Sequence, residues 1–496
     1  MMTTDYILAI DQSTSGTKAL LVDSNGTITH KKSASHKQYY PQPGWVEHDP
    51  IEIYENVKFL INGIVESAAI STIELKVLAI TNQRETIVVW DKETGLPVHN
   101  AIVWQCRRTS DMCKQLKEYG YESKIKSKTG LTLDPYFSAS KVKWIMDNID
   151  GVKERAGDGK LLLGTIDSWL IWKLTGGKVH ATDYTNASRT LLFNIHSLEW
   201  DHELLELFTI PKSMLPEVKD SNDIFGETED KEILLSKLPI SGVIGDSQGA
   251  LFGQKCFEKG MAKATYGTGT SVLMHTGEMV RAENGLVTSI AWGINGEVSY
   301  ALEGIIHSTG DTIKWLIEEL ELITDLSEVE TFVRSLSDNQ GVYFIPAFVG
   351  LGAPYWNSYA RAAIMGMSRN TGKAHIVRAA VESIAYQVKD AIELMETESS
   401  INIKELKVDG GATANSFLMQ FQADMLGANV IASNVSELSS MGSVYLAGLG
   451  IGIWNSLDEI RKLNLENELF EPMIAIDLRN EWYQGWKRTV NSVLVK

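Results

Sequence analysis

The apolar pattern at the start of the chain predicts a β-hairpin with a polar tip. An unbroken apolar run, residues 6–10, is typical of a buried strand, and a second run, residues 19–22, follows shortly after it. Residues 11–18 between them contain an acid, several hydroxyl residues, a glycine and a lysine. Backbone N–H groups, hydroxyls and an ammonium in one tip are typical of a phosphate site. An ordinary hairpin with a polar tip remains the alternative for this stretch alone.

The same pattern recurs in the second half of the chain. In residues 261–275 a predicted strand enters Gly-Thr-Gly-Thr-Ser and another strand leaves it. Two such hairpins suggest two related domains that face a shared phosphate. The length of 496 residues also exceeds what one hydrophobic core usually organises. We therefore predict two domains, 1–250 and 251–496.

Further elements are predicted from alternation, apolar runs and turn residues. The predicted strands are 27–35, 75–81, 87–90, 98–104, 241–246, 297–302, 342–346 and 406–408. The predicted helices are one that begins at Pro50, then 139–147, 247–254, 311–320, 373–395, one that ends near 425, and 443–454. Together they indicate an α/β fold.

Four polar signatures follow the carboxyl ends of predicted strands: Asp11, Arg84-Glu85, Asp246 and Asp409-Gly410-Gly411. In open α/β sheets, ligands collect at that edge. A carboxylate at a phosphate site makes sense if a divalent cation accompanies the phosphate, which suits Asp11.

The chemistry that these residues permit is phosphoryl transfer. Asp246 suits a carboxylate that accepts the proton of an attacking hydroxyl, although it could merely cap the following helix, and water could be the nucleophile. Arg84 and Glu85 would suit neighbouring hydroxyls of a neutral polyol, or form a structural ion pair. Trp104 and Tyr136 could supply an apolar wall for the polyol, or belong to the core.

The Gly-Gly turn at 410–411 would let the backbone approach a flat ring or a phosphate, and Asn415 could bond to a base or a ribose. This turn is unspecific when taken alone. The ten histidines are scattered along the chain, and we interpret them as structural.

Composition and charge exclude several other classes. The formal net charge of −17 argues against a nucleic-acid partner, which would need a basic face. Three cysteines cannot form a disulfide framework, and no His or Cys neighbours have zinc-site spacing. The apolar run 444–454 is shorter than the ~20 residues of a membrane span, and the start of the chain lacks a signal-peptide pattern. We therefore predict a cytoplasmic protein with no membrane partner.

With these residues in hand, the sequence closely resembles the FGGY carbohydrate kinase family, and within it the branch that phosphorylates glycerol. The stretches that carry the resemblance are 43–50, 80–86, 100–108, 134–137, 183–189, 350–356 and 409–415. Residues 136–148 fit the first family signature, and residues 362–382 fit the second.

The resemblance implies two actin-like (ribonuclease-H-like) ATPase domains with the active site in the cleft between them. It also implies phosphorylation of glycerol to sn-glycerol 3-phosphate, with ATP and Mg²⁺ as cofactors and a homo-oligomer, a dimer or tetramer. Polyol contacts would fall on Arg84, Glu85, Trp104, Tyr136, Asp246, Ser247 and Ser271, with Asp246 as the base. Nucleotide contacts would fall on Thr14, Ser15, Gly16, Lys18, Thr268, Gly310, Lys314, Gly411 and Asn415. Asp11 would hold the metal through water.

Three positions depart from the family pattern. Ser247 and Ser271 stand where glycerol-phosphorylating members usually carry Gln and Phe, and Lys18 stands where they usually carry Arg. Two serines should leave the polyol pocket wider and more polar, so a tetritol or pentitol is an alternative substrate.

Regulation is also expected to differ from that of some relatives. The stretch 226–239 lacks the glycine-and-arginine loop for fructose 1,6-bisphosphate and the phosphorylatable histidine that some relatives carry. We therefore expect neither form of control.

Overall fold

The computed structural model describes residues 5–68, 74–233, 237–357, 359–464 and 466–494. These residues form two compact units. The first unit comprises the described parts of 1–255, 289–300 and 437–464, and the second comprises those of 256–288, 301–436 and 465–496. Residues 234–236, in the stretch on which the regulatory expectation rests, lie outside the described residues.

The strands and helices alternate along both units. The strands are β1 (Tyr6–Gln12), β2 (Gly16–Asp23), β3 (Ile28–Ser35), β4 (Glu47–His48), β5 (Leu75–Asn82), β6 (Ile87–Asp91), β7 (Ala101–Ile102), β8 (Leu161–Thr165), β9 (Ala181–Asp183), β10 (Phe193–Asn194), β11 (Glu199–Trp200), β12 (Glu217–Lys219), β13 (Ile224–Glu227), β14 (Pro239–Gly245), β15 (Met261–Tyr266), β16 (Thr270–Gly277), β17 (Val287–Ile294), β18 (Glu297–Ile306), β19 (Tyr343–Ile345), β20 (Ala363–Met365), β21 (Glu405–Gly410), β22 (Asn429–Ser433) and β23 (Asn467–Phe470). The α-helices are α1 (Pro50–Ala68), α2 (Ser110–Glu118), α3 (Tyr121–Thr129), α4 (Ser138–Asn148), α5 (Val152–Gly157), α6 (Ile166–Leu174), α7 (Tyr184–Ala187), α8 (His202–Phe208), α9 (Asp246–Gly253), α10 (Gly310–Glu318), α11 (Ser327–Arg334), α12 (Lys373–Ser399), α13 (Ser416–Leu426), α14 (Leu438–Gly450), α15 (Leu457–Lys462) and α16 (Ile476–Val493).

The two large sheets share one strand order, and the second sheet has the additional strand β17. The first large sheet runs β13-β14-β5-β1-β2-β3, and the second runs β17-β18-β16-β15-β21-β22-β23. In each, an antiparallel hairpin, β1–β2 or β15–β16, continues into two parallel strands, β5 and β14 or β21 and β22. The sequence prediction of two related α/β halves, each built around a hairpin, is therefore confirmed at the level of topology.

The apolar runs of the hairpins fill the cores. Residues 7–10 and 19–22 are buried, as a strand covered on both faces requires. Helix α1 begins at Pro50, which suits the first helical turn because proline lacks an N–H donor. Its buried residues Ile53, Val57 and Leu60 recur at helical spacing.

Helix α14 belongs to the first unit, although the sequence-based boundary placed it in the second domain. It packs against α9, β14, β5 and β1. Glycines allow α14 and α9 to pack this closely. A Cβ on Gly442 would lie 2.0 Å from the Gly249 carbonyl oxygen, and a Cβ on Gly253 would lie 2.1 Å from the Leu438 carbonyl oxygen. The two helix backbones therefore touch, which larger side chains would prevent.

Helix α14 and the predicted strand 98–104 also differ from their predicted bounds. Helix α14 covers 438–450 rather than 443–454, because Gly452 has φ +78° and the chain turns there. The predicted strand 98–104 is reduced to β7, which pairs with β4 and β6. None of the helices in the described residues is both long and apolar enough to cross a membrane.

Candidate active site

The carboxyl ends of three parallel strands in the first unit are aligned by register. Asp11 and Gln12 of β1 pair with Thr81 and Asn82 of β5, and Asn82 also pairs with Gly245 of β14. The polar signatures after these strands therefore lie along one edge of the sheet. Asp11, Arg84-Glu85 and Asp246 thus lie at the ends of β1, β5 and β14. That ligands bind at this edge stays a prediction.

Arg84 links the two carboxylates at this edge. Its Nε lies 3.3 Å from Asp246 Oδ1 and 3.8 Å from Glu85 Oε1, and its Nη1 donates to Gln248 Oε1 at 3.1 Å. A Cβ on Gly245 would lie 2.8 Å from Arg84 Cγ, so the glycine leaves room for the arginine. Arg84 and Glu85 are almost fully buried, whereas the Asp246 side chain is 38% exposed. Of the two carboxylates, that of Asp246 is therefore the accessible one.

Glu85 has a second cationic partner, Arg189. The Arg189 Nε lies 2.6 Å from Glu85 Oε1, and its Nη1 donates to Ser289 Oγ at 2.8 Å. The Glu85 backbone has φ +62°, a left-handed conformation that is uncommon for a non-glycine residue, and its carbonyl accepts a hydrogen bond from Ser138. Such backbone strain is typical of functional sites.

A buried lysine holds the loop that carries Tyr136. The Lys141 Nζ donates to the backbone carbonyls of Pro135, of Tyr136 at 2.7 Å and of Phe137 at 3.0 Å. Burial lowers the pKa of Lys141 to about 8. The three carbonyls satisfy the three donors of a buried ammonium, so the loop has little freedom.

Trp104 and Tyr136, the residues suggested for an apolar wall, are neighbours in the first unit. The Trp104 and Tyr136 rings lie 5.4 Å apart in a tilted arrangement. The Trp104 Nε1 donates to Thr14 Oγ1 at 2.9 Å. This aromatic pair is therefore joined to the tip of the β1–β2 hairpin.

The hairpin tip itself is residues 13–15, shorter than the predicted 11–18, because the strands extend to Gln12 and from Gly16. The Ser13 N–H and hydroxyl both donate to the Gly16 carbonyl. A Cβ on Gly16 would lie 2.6 Å from the Ala34 oxygen, so the close approach of β3 requires glycine. Ser15 at the tip is exposed.

Lys18 lies opposite Asp11 in the hairpin register and pairs with a residue that the sequence reasoning did not single out. Its Nζ donates to Glu437 Oε2 at 2.7 Å. The Lys31 Nζ donates to the other Glu437 oxygen at 2.9 Å. Ser440, in the first turn of α14, donates to Asp11 Oδ2 at 3.2 Å.

Asp11 has the environment of a cation ligand. Burial raises its pKa to about 6; Lys18 opposes this effect and the nearby charge of Asp246 adds to it. A divalent cation would offset the cost of two neighbouring carboxylates, and Mg²⁺ binds through one or two carboxylates with phosphate oxygens and waters. The oxygen donors therefore fit Mg²⁺. Among the described residues there is no group of three or more His, Cys, Asp and Glu side chains that could hold a metal by themselves.

The second unit brings Thr268 and Gly310 together. The Thr268 carbonyl accepts from Thr309 N at 2.9 Å, and the Gly310 N–H donates to the Gly267 carbonyl at 3.0 Å. A Cβ on Gly310 would lie 2.5 Å from that carbonyl oxygen. The β15–β16 tip thus lies on the start of α10. Lys314, one turn further along, is exposed and lies 3.6 Å from Glu318.

The remaining candidates for nucleotide contact follow β21. Asp409 pairs with Thr265 in register, and its Oδ1 accepts from Thr265 Oγ1 at 2.7 Å. A Cβ on Gly411 would meet open space. The Asn415 Oδ1 accepts from Leu418 N, so this side chain caps α13.

The two serines that depart from the family pattern have different surroundings. The Ser247 N–H donates to Asp246 Oδ1 at 2.6 Å. In the second unit, the Ser271 Oγ lies 3.4 Å from Lys263 Nζ and 3.3 Å from Glu303 Oε1, and both of those residues are buried. Ser271 is therefore linked to a polar cluster.

Sequence reasoning missed three residues that organise this site: Lys141, Arg189 and Glu437. Arg189 and Lys141 lay within stretches that carried the resemblance, but neither follows a predicted strand. Glu437 precedes an apolar helix far along the chain and has no local signal. Arg189 contacts Glu85, 104 positions away, and Glu437 contacts Lys18, 419 positions away, so only the fold reveals these two contacts. Lys141 contacts the Tyr136 carbonyl, 5 positions away.

The chain matches two family models along most of its length. Residues 6–253 match the N-terminal domain of the FGGY family of carbohydrate kinases, and residues 262–451 match the C-terminal domain. The chain belongs to the FGGY family of carbohydrate kinases. Similar proteins include glycerol kinase 1 of Thermotoga maritima, 53% identical over 492 residues, which cover 99% of this chain and all of the relative. Glycerol kinase of Bacillus subtilis is 50% identical over 491 residues, 99% of each chain.

Two solved structures share the fold of this chain. The Plasmodium falciparum glycerol kinase with ADP superposes with a TM-score of 0.95 at 38% identity and covers 99% of both chains. A gluconate kinase from Lactobacillus acidophilus superposes with a TM-score of 0.89 at 20% identity, again over 99% of both chains. This second likeness concerns the fold alone.

Proposed function

We propose that this FGGY protein transfers the terminal phosphate of ATP to a terminal hydroxyl of glycerol and so forms sn-glycerol 3-phosphate. The observation that carries the proposal is the cluster of Arg84, Glu85 and Asp246 at one sheet edge. The names of the relatives at 50% identity or more support glycerol as the substrate.

Arg84 and Glu85 are proposed to bind neighbouring hydroxyls of the polyol. A guanidinium donates and a carboxylate accepts, so the two together orient adjacent O–H groups, and each charge-assisted bond is worth roughly 1.5–3 kcal/mol. Arg189 also contacts the Glu85 carboxylate, at the same oxygen as Arg84, and so helps to fix it. Trp104 and Tyr136 would cover the C–H face of the substrate, with their 5.4 Å ring pair as the wall.

Asp246 is proposed to be the general base. Its partial exposure leaves an oxygen accessible, while Arg84 Nε and the Ser247 N–H orient the carboxylate. The base would accept the proton of the attacking hydroxyl as the new O–P bond forms and the bond to the bridging oxygen of ADP breaks. In phosphoryl transfer, positioning and charge stabilisation supply most of the catalysis.

Nucleotide contacts are proposed for nine residues: Thr14, Ser15, Gly16, Lys18, Thr268, Gly310, Lys314, Gly411 and Asn415. Asp11 would hold Mg²⁺ through water, and the ion when bound would spread the negative charge of the phosphates.

The proposal is tested by measuring ADP release and product identity with ATP, Mg²⁺ and glycerol. We expect turnover and a product that a glycerol 3-phosphate dehydrogenase oxidises. ATP turnover that requires no polyol would refute the proposal. An absence of turnover with every polyol would also refute it.

A tetritol or pentitol kinase is the second candidate. It rests on Ser247 and on the contacts of Ser271 with Lys263 and Glu303, which make that position polar. Comparing kcat/KM for glycerol, erythritol, threitol and xylitol decides between the two. A clear preference for glycerol ends the second candidate, and a tenfold preference for a longer polyol replaces the first.

A further inference from the structure

The first turn of α14 contacts both strands of the β1–β2 hairpin. Glu437, the residue before this helix, bonds to Lys18, and Ser440 bonds to Asp11. Positions three residues apart share a helix face, and Asp11 and Lys18 face each other across the hairpin. One helical turn therefore holds both the lysine proposed to bind phosphate and the carboxylate proposed to bind metal.

Glu437 is held firmly in its place. Its side chain is only 5% exposed. Burial raises its pKa, but the hydrogen bonds from Lys18 and Lys31 and their charges outweigh that effect and bring the pKa below its ordinary value. The glycine contacts between α9 and α14 fix the helix that follows it. The carboxylate is therefore ionised, and its position is fixed relative to the sheet.

In this arrangement the Lys18 ammonium can still donate hydrogen bonds to a ligand. The hydrogen bond to Glu437 uses one of the three donors of the ammonium, and the side chain is 37% exposed. A lysine side chain has four carbons of flexible stem, so an unanchored ammonium would sample many positions. The bond to Glu437 removes this freedom before a phosphate arrives.

We propose that Glu437 is a positioning residue for phosphate binding: it fixes the Lys18 ammonium beside Asp11 without touching the substrate. The inference rests on the proposed function, since it assigns a phosphate to Lys18. In the alternative, Glu437 only ties α14 to the sheet. Its loss would then lower stability and leave the kinetics of the folded enzyme unchanged.

A double-mutant cycle separates these two roles. We would measure kcat, KM for ATP, KM for glycerol and the calorimetric affinity for ATP in Glu437→Gln, in Lys18→Met and in the double variant. We expect each single change to lower kcat/KM for ATP roughly tenfold, because a charge-assisted bond is lost. The double variant should lose less than twofold beyond Lys18→Met, and KM for glycerol should stay within about twofold.

A matched control exists in the same unit. Glu203 also joins two lysines, at 2.5 Å from Lys124 and 3.1 Å from Lys128, and it is exposed. Glu203→Gln should leave kcat/KM within about twofold, as surface pairs contribute little. Thermal unfolding checks that each variant is folded, and Glu437→Asp takes the place of Glu437→Gln if the latter does not fold.

Two outcomes overturn the inference. One is a folded Glu437 variant with unchanged kcat/KM and unchanged affinity for ATP. The other is a double variant whose losses multiply, because Glu437 would then act independently of Lys18. If the wild type binds ATP but phosphorylates no polyol, the proposed function fails, and the affinity for ATP in the same cycle still decides the role of Glu437.

Discussion

At the residue scale, Asp167 is an acidic side chain that the first unit buries completely. Its oxygens accept hydrogen bonds from Thr165 at 2.5 Å and Thr182 at 2.6 Å. Burial, and then the charge of Asp183, raises the pKa of Asp167 to about 7. Asp183 in turn accepts from Thr185, whose hydroxyl oxygen accepts from the Gly245 N–H, next to Asp246. A network of acids and hydroxyls therefore supports the end of β14.

Asp167→Asn should change the pH dependence of stability. The pKa of Asp167 is near 7 in the folded state and about 3.9 in the unfolded state, so the folded state binds this proton more tightly. The resulting stabilisation is fully present below about pH 4 and is lost as the pH rises through 7. Asn does not titrate. Relative to the variant, the wild type should therefore lose at least about 1 kcal/mol between pH 5 and pH 8. Urea unfolding at both pH values measures this difference; parallel changes in wild type and variant would contradict it.

At the scale of elements, helices α9 and α14 pack against each other in the first unit. Asp246 begins α9 and Glu437 precedes α14, so the packing of the two helices fixes both groups. Gly442 and Gly249 touch through their backbones. A side chain at this contact would push the helices apart.

Gly442→Ala is expected to destabilise the fold by about 1–3 kcal/mol, because the new Cβ would lie 2.0 Å from a carbonyl oxygen. It should also lower kcat, since both helix starts would shift. Gly157→Ala is the control: this residue ends α5, a Cβ there meets nothing within 4 Å, and the change should be neutral or stabilising by up to about 1 kcal/mol. Chemical unfolding and steady-state kinetics measure both. Equal stability of the two variants would refute the packing argument.

The elements also show what the sequence could predict. The two hairpins and the polar strand ends followed from local patterns, because apolar runs and the residues that end them are read locally. The start of α14 did not, since residues 438–442 are mostly small and have no amphipathic period. Arg189 and Glu437 required tertiary contacts over 104 and 419 positions.

At the scale of the whole molecule, binding is coupled to stability. A ligand that binds only the folded state stabilises the protein by about 2.7 kcal/mol when its concentration is 100 times its dissociation constant. If Arg84 and Glu85 bind the polyol, millimolar glycerol should raise the unfolding temperature of the wild type. It should leave Arg84→Met unshifted, because the variant lacks the donor. Differential scanning calorimetry measures both shifts, and the same glycerol-induced shift in wild type and Arg84→Met would place the polyol elsewhere.

The most direct test of the account is the turnover of Asp246→Asn with glycerol and ATP. The substitution keeps the shape of the side chain and removes its capacity to accept a proton. General-base catalysis is worth about 10²–10⁴-fold, so kcat should fall by that factor, while the calorimetric affinity for glycerol stays within several-fold. Asp158→Asn, at an exposed position of the first unit, is the control and should retain full turnover. A kcat of Asp246→Asn close to that of the wild type would contradict the central claim.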